Sequence, residues 1–100
     1  MAESLKTRIV KARFALGRLV ATPAALRALR DSGESPRDFV SRHLFGDWGE
    51  VGPDDAAANE RAIEKDSRIL SAYRTSKGTR VWVMTEADRS STCVLLPDEY

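Results

Sequence analysis

The single histidine, His43, is the residue closest to a catalytic group, because histidine titrates near neutral pH and often acts as a general acid or base. It follows Arg42 and precedes a turn that carries Asp47 and Trp48. His43 also falls four residues after Phe39 on the apolar face of a predicted helix, which favours a core-edge histidine bonded to a backbone group. Ligand contact and catalysis remain open. Trp48 is interpreted as a lid over the core or, where exposed, as an anchor for a partner.

A second polar cluster is dense in hydroxyl and charged groups for a tight connection between strands. It consists of Thr85, Glu86, Asp88, Arg89, Ser90, Ser91 and Thr92. The simpler interpretation is a turn in which Asp88 and the serines bond nearby backbone amides. The functional interpretation is a polar patch at one end of the sheet, where these side chains bind a partner or a phosphate.

A third cluster combines arginines with aromatic side chains, namely Tyr73, Arg74, Arg80 and Tyr100. Arginines beside an aromatic ring can hold a phosphate or a carboxylate. Pairing across strands with Glu86 or another acid is the favoured interpretation.

Motifs with an established mechanism are missing from the sequence, which has no phosphate-binding loop, no Cys-x-x-Cys pair and no His-Glu-x-x-His. One histidine and one cysteine, far apart in the chain, argue against a zinc site. Cys93 has no partner for an internal disulfide, and we expect it in a strand as a small apolar residue. We therefore expect no metal and no cofactor, and we favour a protein that is not an enzyme.

The net charge of +1 conceals a split along the chain. Residues 1–30 carry seven Lys and Arg against one acid, or +6, so the other seventy residues carry −5. The basic residues between 6 and 30 could meet nucleic acid or an acidic partner surface, or simply be solvated. No apolar run approaches the ~20 residues of a membrane span, and arginines interrupt any signal-peptide core. We expect a cytoplasmic protein with no membrane contact.

The elements that must position these clusters form one predicted α+β domain over residues 14–100, preceded by a basic segment, 1–13, that is expected to fray. A first strand is predicted over Phe14–Ala21. Its residues Phe14, Leu16 and Val20 share one face.

Three short helices share a start signal, a capping residue followed by proline. The three starts are Thr22-Pro23, Ser35-Pro36 and Gly52-Pro53. Gly33 and Gly46 are expected to end the first two helices, because glycine adopts the left-handed conformation found there.

A change to two-residue periodicity predicts a three-stranded antiparallel meander from Arg68 to Leu96. Its strands cover Arg68–Thr75, Thr79–Glu86 and Ser91–Leu96, with Ser76-Lys77-Gly78 as the first hairpin connection. The middle strand is apolar on both faces and should be central and buried. The prediction is one sheet packed by helices.

The sequence resembles a family of short, uncharacterised proteins encoded on bacterial plasmids and prophages, the plasmid-related proteins. The resemblance covers nearly the whole chain after residue 13. The matching stretches are Leu16-Gly17, Val20-Ala21-Thr22-Pro23, Arg42-His43, Gly46-Asp47-Trp48-Gly49, Leu70-Ser71-Ala72-Tyr73, Gly78-Thr79, Thr85-Glu86-Ala87-Asp88-Arg89-Ser90, Leu95-Leu96-Pro97 and Tyr100. The resemblance implies an accessory protein of a mobile element, with no settled activity and no known catalytic residues.

A weaker likeness concerns topology, because a strand, helices and a three-stranded meander resemble the barnase and RelE-type ribonucleases and toxins. That likeness implies His43, Tyr73, Arg80 and Arg89 as candidate catalytic residues. The charge departs from the pattern, since residues 51–100 carry seven basic against nine acidic residues. RNA affinity depends on neutralising phosphates, so this balance argues against an efficient ribonuclease.

Three functions follow as hypotheses. The first is an inhibitor of a host or defence protein or ribonucleoprotein, such as a CRISPR or restriction complex. It would bind through residues that we list as Arg42, Asp47, Trp48, Glu86, Asp88, Arg89 and Ser90. The second is a barnase- or RelE-like ribonuclease, and the third is a regulator that binds nucleic acid through residues 6–30. The oligomeric state stays open.

Overall fold

Within residues 12–100 the elements follow the predicted order of a strand, three helices and three strands, which confirms the α+β class. The computed structural model describes residues 12–100. The elements are β1 (Arg18–Ala21), α1 (Pro23–Asp31), α2 (Pro36–Leu44), α3 (Pro53–Lys65), β2 (Ile69–Arg74), β3 (Arg80–Thr85), β4 (Ser91–Leu95) and a 3-10 turn over Pro97–Glu99. The predicted segment 1–13 lies almost wholly outside the described residues.

The helix starts are the predicted ones. The Ala25 amide donates to the Thr22 hydroxyl at 3.1 Å, so Thr22 caps α1. Ser35 caps α2 through the Arg37 amide, and Asp38 accepts from the Ser35 amide in return. Each cap satisfies backbone donors that the first helical turn leaves without partners. None of the helices in residues 12–100 is long and apolar enough to cross a membrane.

The four strands form one sheet in the order β1-β4-β3-β2. The antiparallel meander of β2, β3 and β4 is confirmed, and β3 is central as predicted. β1 runs parallel to β4, with Val20 opposite Cys93. The sheet is therefore mixed, because β1 returns to the last strand rather than extending the meander.

The predicted strand Phe14–Ala21 is wrong in its first half, since β1 begins only at Arg18. Gly17 has φ +65°, and a Cβ there would lie 2.4 Å from backbone atoms of Arg89 and Ser90. This close approach turns the chain, so Phe14 and Leu16 pack against the core while Val20, 40% exposed, lies on the other face of the sheet.

All three helices pack on one face of the sheet. Val81, Val83 and Val94 are fully buried there beneath α1 and α2, and Ala62 of α3 packs on Ile69. The opposite face is covered in part by the C-terminal turn. Tyr100 lies edge-on against Trp82 with the ring centroids 5.8 Å apart. The expectation that β3 is buried on both faces therefore holds for Met84, whereas Trp82 is half-buried.

Candidate functional site: the polar end of the sheet

The first two predicted clusters meet at one end of the sheet. The His43 ring in α2 lies 2.9 Å from the Thr85 hydroxyl at the end of β3, where the second cluster begins. The Phe14 ring links both clusters. Its centroid lies 5.1 Å from that of His43 and 5.8 Å from the guanidinium carbon of Arg89. Residues 28 to 76 positions apart in sequence thus form one polar site.

A chain of hydrogen bonds crosses this site inside the core. Ser71 Oγ lies 2.6 Å from His43 Nδ1, and the Thr85 and Thr92 hydroxyl oxygens lie 2.7 Å apart. Thr92 Oγ1 lies 2.8 Å from the carbonyl oxygen of Leu16. Ser71, Thr85, Thr92 and His43 all have no exposed surface.

The last bond of this chain determines the position of every proton in it. A carbonyl only accepts, so Thr92 donates to Leu16 and must itself accept from Thr85. Thr85 then accepts from His43 Nε2–H, and Nδ1 accepts from Ser71. His43 is therefore the neutral Nε2–H tautomer. It bonds side chains rather than the predicted backbone group.

Burial lowers the pKa of His43 to about 4. A protonated ring would need acceptors on both nitrogens, and desolvation penalises its charge. The Ser71–His43 distance is that of a nucleophile and its base. Both residues are fully buried, so a substrate in solvent has no access to the pair.

Trp48 is a core residue, so the alternative interpretation of an exposed anchor is wrong. It is 7% exposed, stacks beside Phe14 and packs with Ala62 and Ile69. Its indole N–H donates to Glu60 Oε2 at 3.1 Å, so the only polar group of the buried ring has a hydrogen-bond partner. The interpretation of Trp48 as a lid over the core is confirmed.

Arg42 and Asp47 form an exposed ion pair at 2.7 Å beside the same site. The guanidinium of Arg42 lies 4.5 Å above the Tyr73 ring, and the Tyr73 hydroxyl donates to the backbone carbonyl of Asp47 at 2.6 Å. The hydrogen bond from Arg42 lowers the pKa of Asp47. Burial raises the pKa of Tyr73 to about 12, so this phenol is a fixed donor.

Arg89 serves the fold as a clamp. Its guanidinium donates to the carbonyls of Ala62 and Ser67 at 2.7 Å each, and to those of Glu86 and Ala87. These bonds join the end of α3 to the β3–β4 turn. The backbone of Arg89 is left-handed, with φ +60°. A non-glycine residue in that conformation is strained, and the four bonds offset the strain.

The exposed part of the second cluster is small. Asp88 is exposed, and its carboxylate accepts from the Ser90 amide at 2.9 Å, as the turn interpretation predicts. Hydrogen bonds from Ser90 lower the pKa of Asp88. Glu86 lies 3.7 Å from Arg68, which is the pairing with an arginine predicted for this acid, although with a different partner.

The third cluster is not assembled. Tyr73 belongs to the core beside Arg42, whereas Arg74 and Arg80 lie opposite each other at the far end of β2 and β3. Arg74 pairs with Glu50 at 3.2 Å. Tyr100 accepts from Arg68 and covers Trp82 on the face away from the helices. The four candidates of the ribonuclease hypothesis therefore do not converge on one surface.

Two sets of contacts that the sequence interpretation missed close the outer edge of β2. The side-chain amide of Asn59 accepts from the Leu70 amide and donates to the Leu70 carbonyl, at 3.1 and 2.8 Å. The residues on either side of Gly49 bond the backbone of Ala72 through their own backbones. The Trp48 carbonyl accepts from the Ala72 amide, and the Glu50 amide donates to the Ala72 carbonyl. The signal for Asn59 was its spacing of three from Ala56 and Ala62, which places a polar residue on the inward face of α3.

Cys93 lies half-buried in β4, as predicted, and burial raises the pKa of its thiol. Within residues 12–100, no group of three or more His, Cys, Asp or Glu side chains is placed to hold a metal ion. Comparisons with protein-family models, with curated proteins and with solved structures find no match to this chain.

Proposed function

We propose that this chain acts by binding a macromolecule, as a cytoplasmic accessory protein of a plasmid or prophage that inhibits a host defence complex. The burial of His43 carries the proposal, because its two ring nitrogens are both occupied by hydroxyl partners in the core. A group held in this way stabilises a fold and does not exchange protons with a substrate. The resemblance to plasmid-related proteins supplies the mobile-element context.

Exposed charges at the polar end of the sheet support a binding role. The ion pair of Arg42 and Asp47 and the carboxylate of Asp88 reach solvent, while buried residues hold their backbones. Exposed polar side chains on a rigid frame are typical of binding surfaces, because little entropy is lost when they contact a partner.

The ribonuclease alternative is less well supported. Such an enzyme needs an acid or base and cations that reach one phosphate. His43 is in the core, and Arg80 lies at the opposite end of β3 from Thr85. The nucleic-acid alternative depends on residues 6–30, of which 6–11 lie outside the described residues. Within the rest, Arg13 is held by Glu60 at 2.7 Å.

The direct experiment measures protection from defence. The chain is expressed in bacteria that carry a restriction or CRISPR system, and transformation by a targeted plasmid is counted. We expect wild type to raise transformation and Asp88→Arg to abolish the gain, since an exposed charge is reversed. His43→Gln, checked for folding by circular dichroism, should keep the gain. Growth arrest with cleaved RNA, or loss of protection in a folded His43→Gln variant, contradicts the proposal.

A further inference from the structure

Among the described residues, β1 is an edge of the sheet that has no neighbouring strand on its outer side. The Arg18 amide donates to the Ser90 carbonyl at 2.9 Å, and the Thr22 amide donates to the Val94 carbonyl at 3.0 Å. Because alternate residues of a strand point their backbone groups to opposite sides, the amides and carbonyls of Leu19 and Ala21 face away from β4. Within residues 12–100 no group hydrogen-bonds to them, and no strand lies beyond β1.

The side chains around this edge are apolar and exposed. Leu19 is 48% exposed, Val20 is 40% exposed and Leu26, in the α1 helix that follows, is 37% exposed. They are three of the five exposed large apolar residues in the described part of the chain. Edge strands are usually protected by proline, lysine, a bulge or a covering segment. The residues of β1, Arg-Leu-Val-Ala, include neither proline nor lysine.

The charge at this edge is positive. Residues 12–30 contain four arginines and no carboxylate, and Glu99 brings a carboxylate only to the far end of the edge, where it accepts from the Thr22 hydroxyl at 2.7 Å. Arg18 lies in β1 and Arg30 in α1, and none of the ion pairs within residues 12–100 includes either of them. The edge thus combines free backbone groups, apolar side chains and cations.

We propose that β1 is the docking edge for an extended segment of a partner protein in which apolar and acidic residues alternate. The segment adds to the sheet as a fifth strand, with its backbone bonded to Leu19 and Ala21, its apolar residues on the helix face beside Leu19 and its acids on the opposite face near Arg18. This inference rests on the proposed binding function and names the partner class.

Other occupants fit the edge less well. A second copy pairing through its own β1 would bring the two sets of arginines together, at a cost in repulsion. A DNA backbone presents acceptors only, and cannot satisfy both the amides and the carbonyls of Leu19 and Ala21.

The probe is a synthetic peptide of about ten residues that alternates glutamate and valine, with blocked ends. Added to the full chain, it should slow amide exchange at Leu19 and Ala21 by about tenfold or more, as strand pairing protects amides. A matched peptide with lysine in place of glutamate should bind about tenfold more weakly. Unchanged exchange at saturating peptide concentration, or equal binding of the two peptides, overturns the inference.

Two variants test the edge itself. Leu19→Pro removes an amide that points away from β4, so it should leave the β1–β4 ladder intact and abolish peptide binding. A folded Leu19→Pro variant that still binds contradicts the inference. If that variant does not fold, Arg18→Glu keeps the backbone, and it should now prefer the lysine peptide. Failure to change preference is equally contrary.

The remaining outcomes separate the two proposals. Dimerisation of the wild type through β1, or competition by single-stranded DNA at this edge, replaces the acidic segment with another occupant. Protection from defence that survives a folded Leu19→Pro variant leaves the proposed function standing and overturns the docking edge. Peptide binding at β1 without protection from defence leaves the docking edge standing and contradicts the proposed function.

Discussion

The two edges of the sheet differ in how their backbone is satisfied. At β2, Asn59 supplies a side-chain copy of a strand partner to Leu70, and the segment around Gly49 pairs with Ala72. At β1, the outward groups of Leu19 have no such partner within the described residues. These contacts occupy the backbone groups of β2 that an added strand would need, so they prevent strand addition at that edge. This difference is the reason for placing the proposed strand addition at β1.

The largest expected effect comes from breaking the closed edge with Gly49→Ala. Gly49 has φ +74°, and an added Cβ would lie 2.0 Å from the Ala72 carbonyl oxygen. Backbone strain plus this collision should lower the free energy of unfolding by about 4 kcal/mol.

Gly33→Ala is the matched control for that change. Gly33 also has φ +74°, but nothing lies within 4 Å of its added Cβ. Its cost should be about 1 kcal/mol of strain alone. Urea titration measures both variants. Equal losses would mean that contact with β2 does not make Gly49 special.

The next effect is on the hydrogen-bond chain that runs from Ser71 in β2 to Leu16, just before β1. The folded pKa of His43, about 4, lies below its unfolded value of 6.5, so the unfolded state binds more protons between these values. Stability is therefore full above pH 6.5 and falls as the pH drops toward 4, by about 3 kcal/mol in all.

Urea titrations between pH 7 and 5 test this effect, because His43 is the only histidine, and hydrogen bonds from Arg42 and Arg13 lower the pKa of Asp47 and of Glu60. His43→Gln should flatten the slope over these pH values. A slope that persists in the variant would assign the pH dependence to another group.

A smaller effect is expected from Arg89→Lys, which tests the clamp between α3 and the end of the sheet. A lysine has no rigid fork to bond the carbonyls of Ala62 and Ser67 together, so the partly buried Ala62 carbonyl and its neighbours lose charged partners at a cost of about 2 kcal/mol. Arg80→Lys is the control, since Arg80 is exposed at the far end of β3. Thermal melts should show a lower midpoint for Arg89→Lys only, and equal midpoints would contradict the clamp.

The last prediction needs no variant and compares amide hydrogen exchange at the two edges of the sheet. In the free protein, the Ala72 amide should exchange slowly because it donates to the Trp48 carbonyl at 3.1 Å. The Leu19 amide, which faces away from β4, should exchange at the rate of an exposed peptide group. Hydrogen exchange read by NMR measures both. Similar protection at the two amides would remove the distinction between an open and a closed edge.

Local signals made much of the fold predictable. Thr22 and Ser35 are capping residues followed by proline, and each predicts the start of a helix. The alternation of Ile69, Ser71 and Tyr73 predicts the inward face of β2. These features depend on neighbours a few residues away. The start of β1 did not follow from such signals, because Gly17 is placed by the backbone of Arg89, seventy-two residues later.

The candidate site was predictable only in its parts. His43 was expected near the core, but its hydroxyl partners come from β2 and β3 and depend on strand register. Arg89 was expected on a binding surface. Its role as a clamp could not be predicted, because no sequence pattern shows that a carbonyl of α3 lies within its reach. Trp48 was interpreted as a lid over the core or as an exposed anchor, and the choice depends on contacts such as that with Phe14 from a distant segment.

The pairing of β1 with β4 has a consequence for synthesis of the protein. Val20 and Cys93 are aligned in the parallel ladder, so the first strand to leave the ribosome waits for the last. Until then, Leu19 and Val20 have no strand beside them, and the Leu16 carbonyl lacks the Thr92 hydroxyl. The sheet is therefore completed only after β4 has been synthesised, as expected where contacts join distant parts of a chain. A chain that stops before Ser91 would release β1 without a place in any sheet.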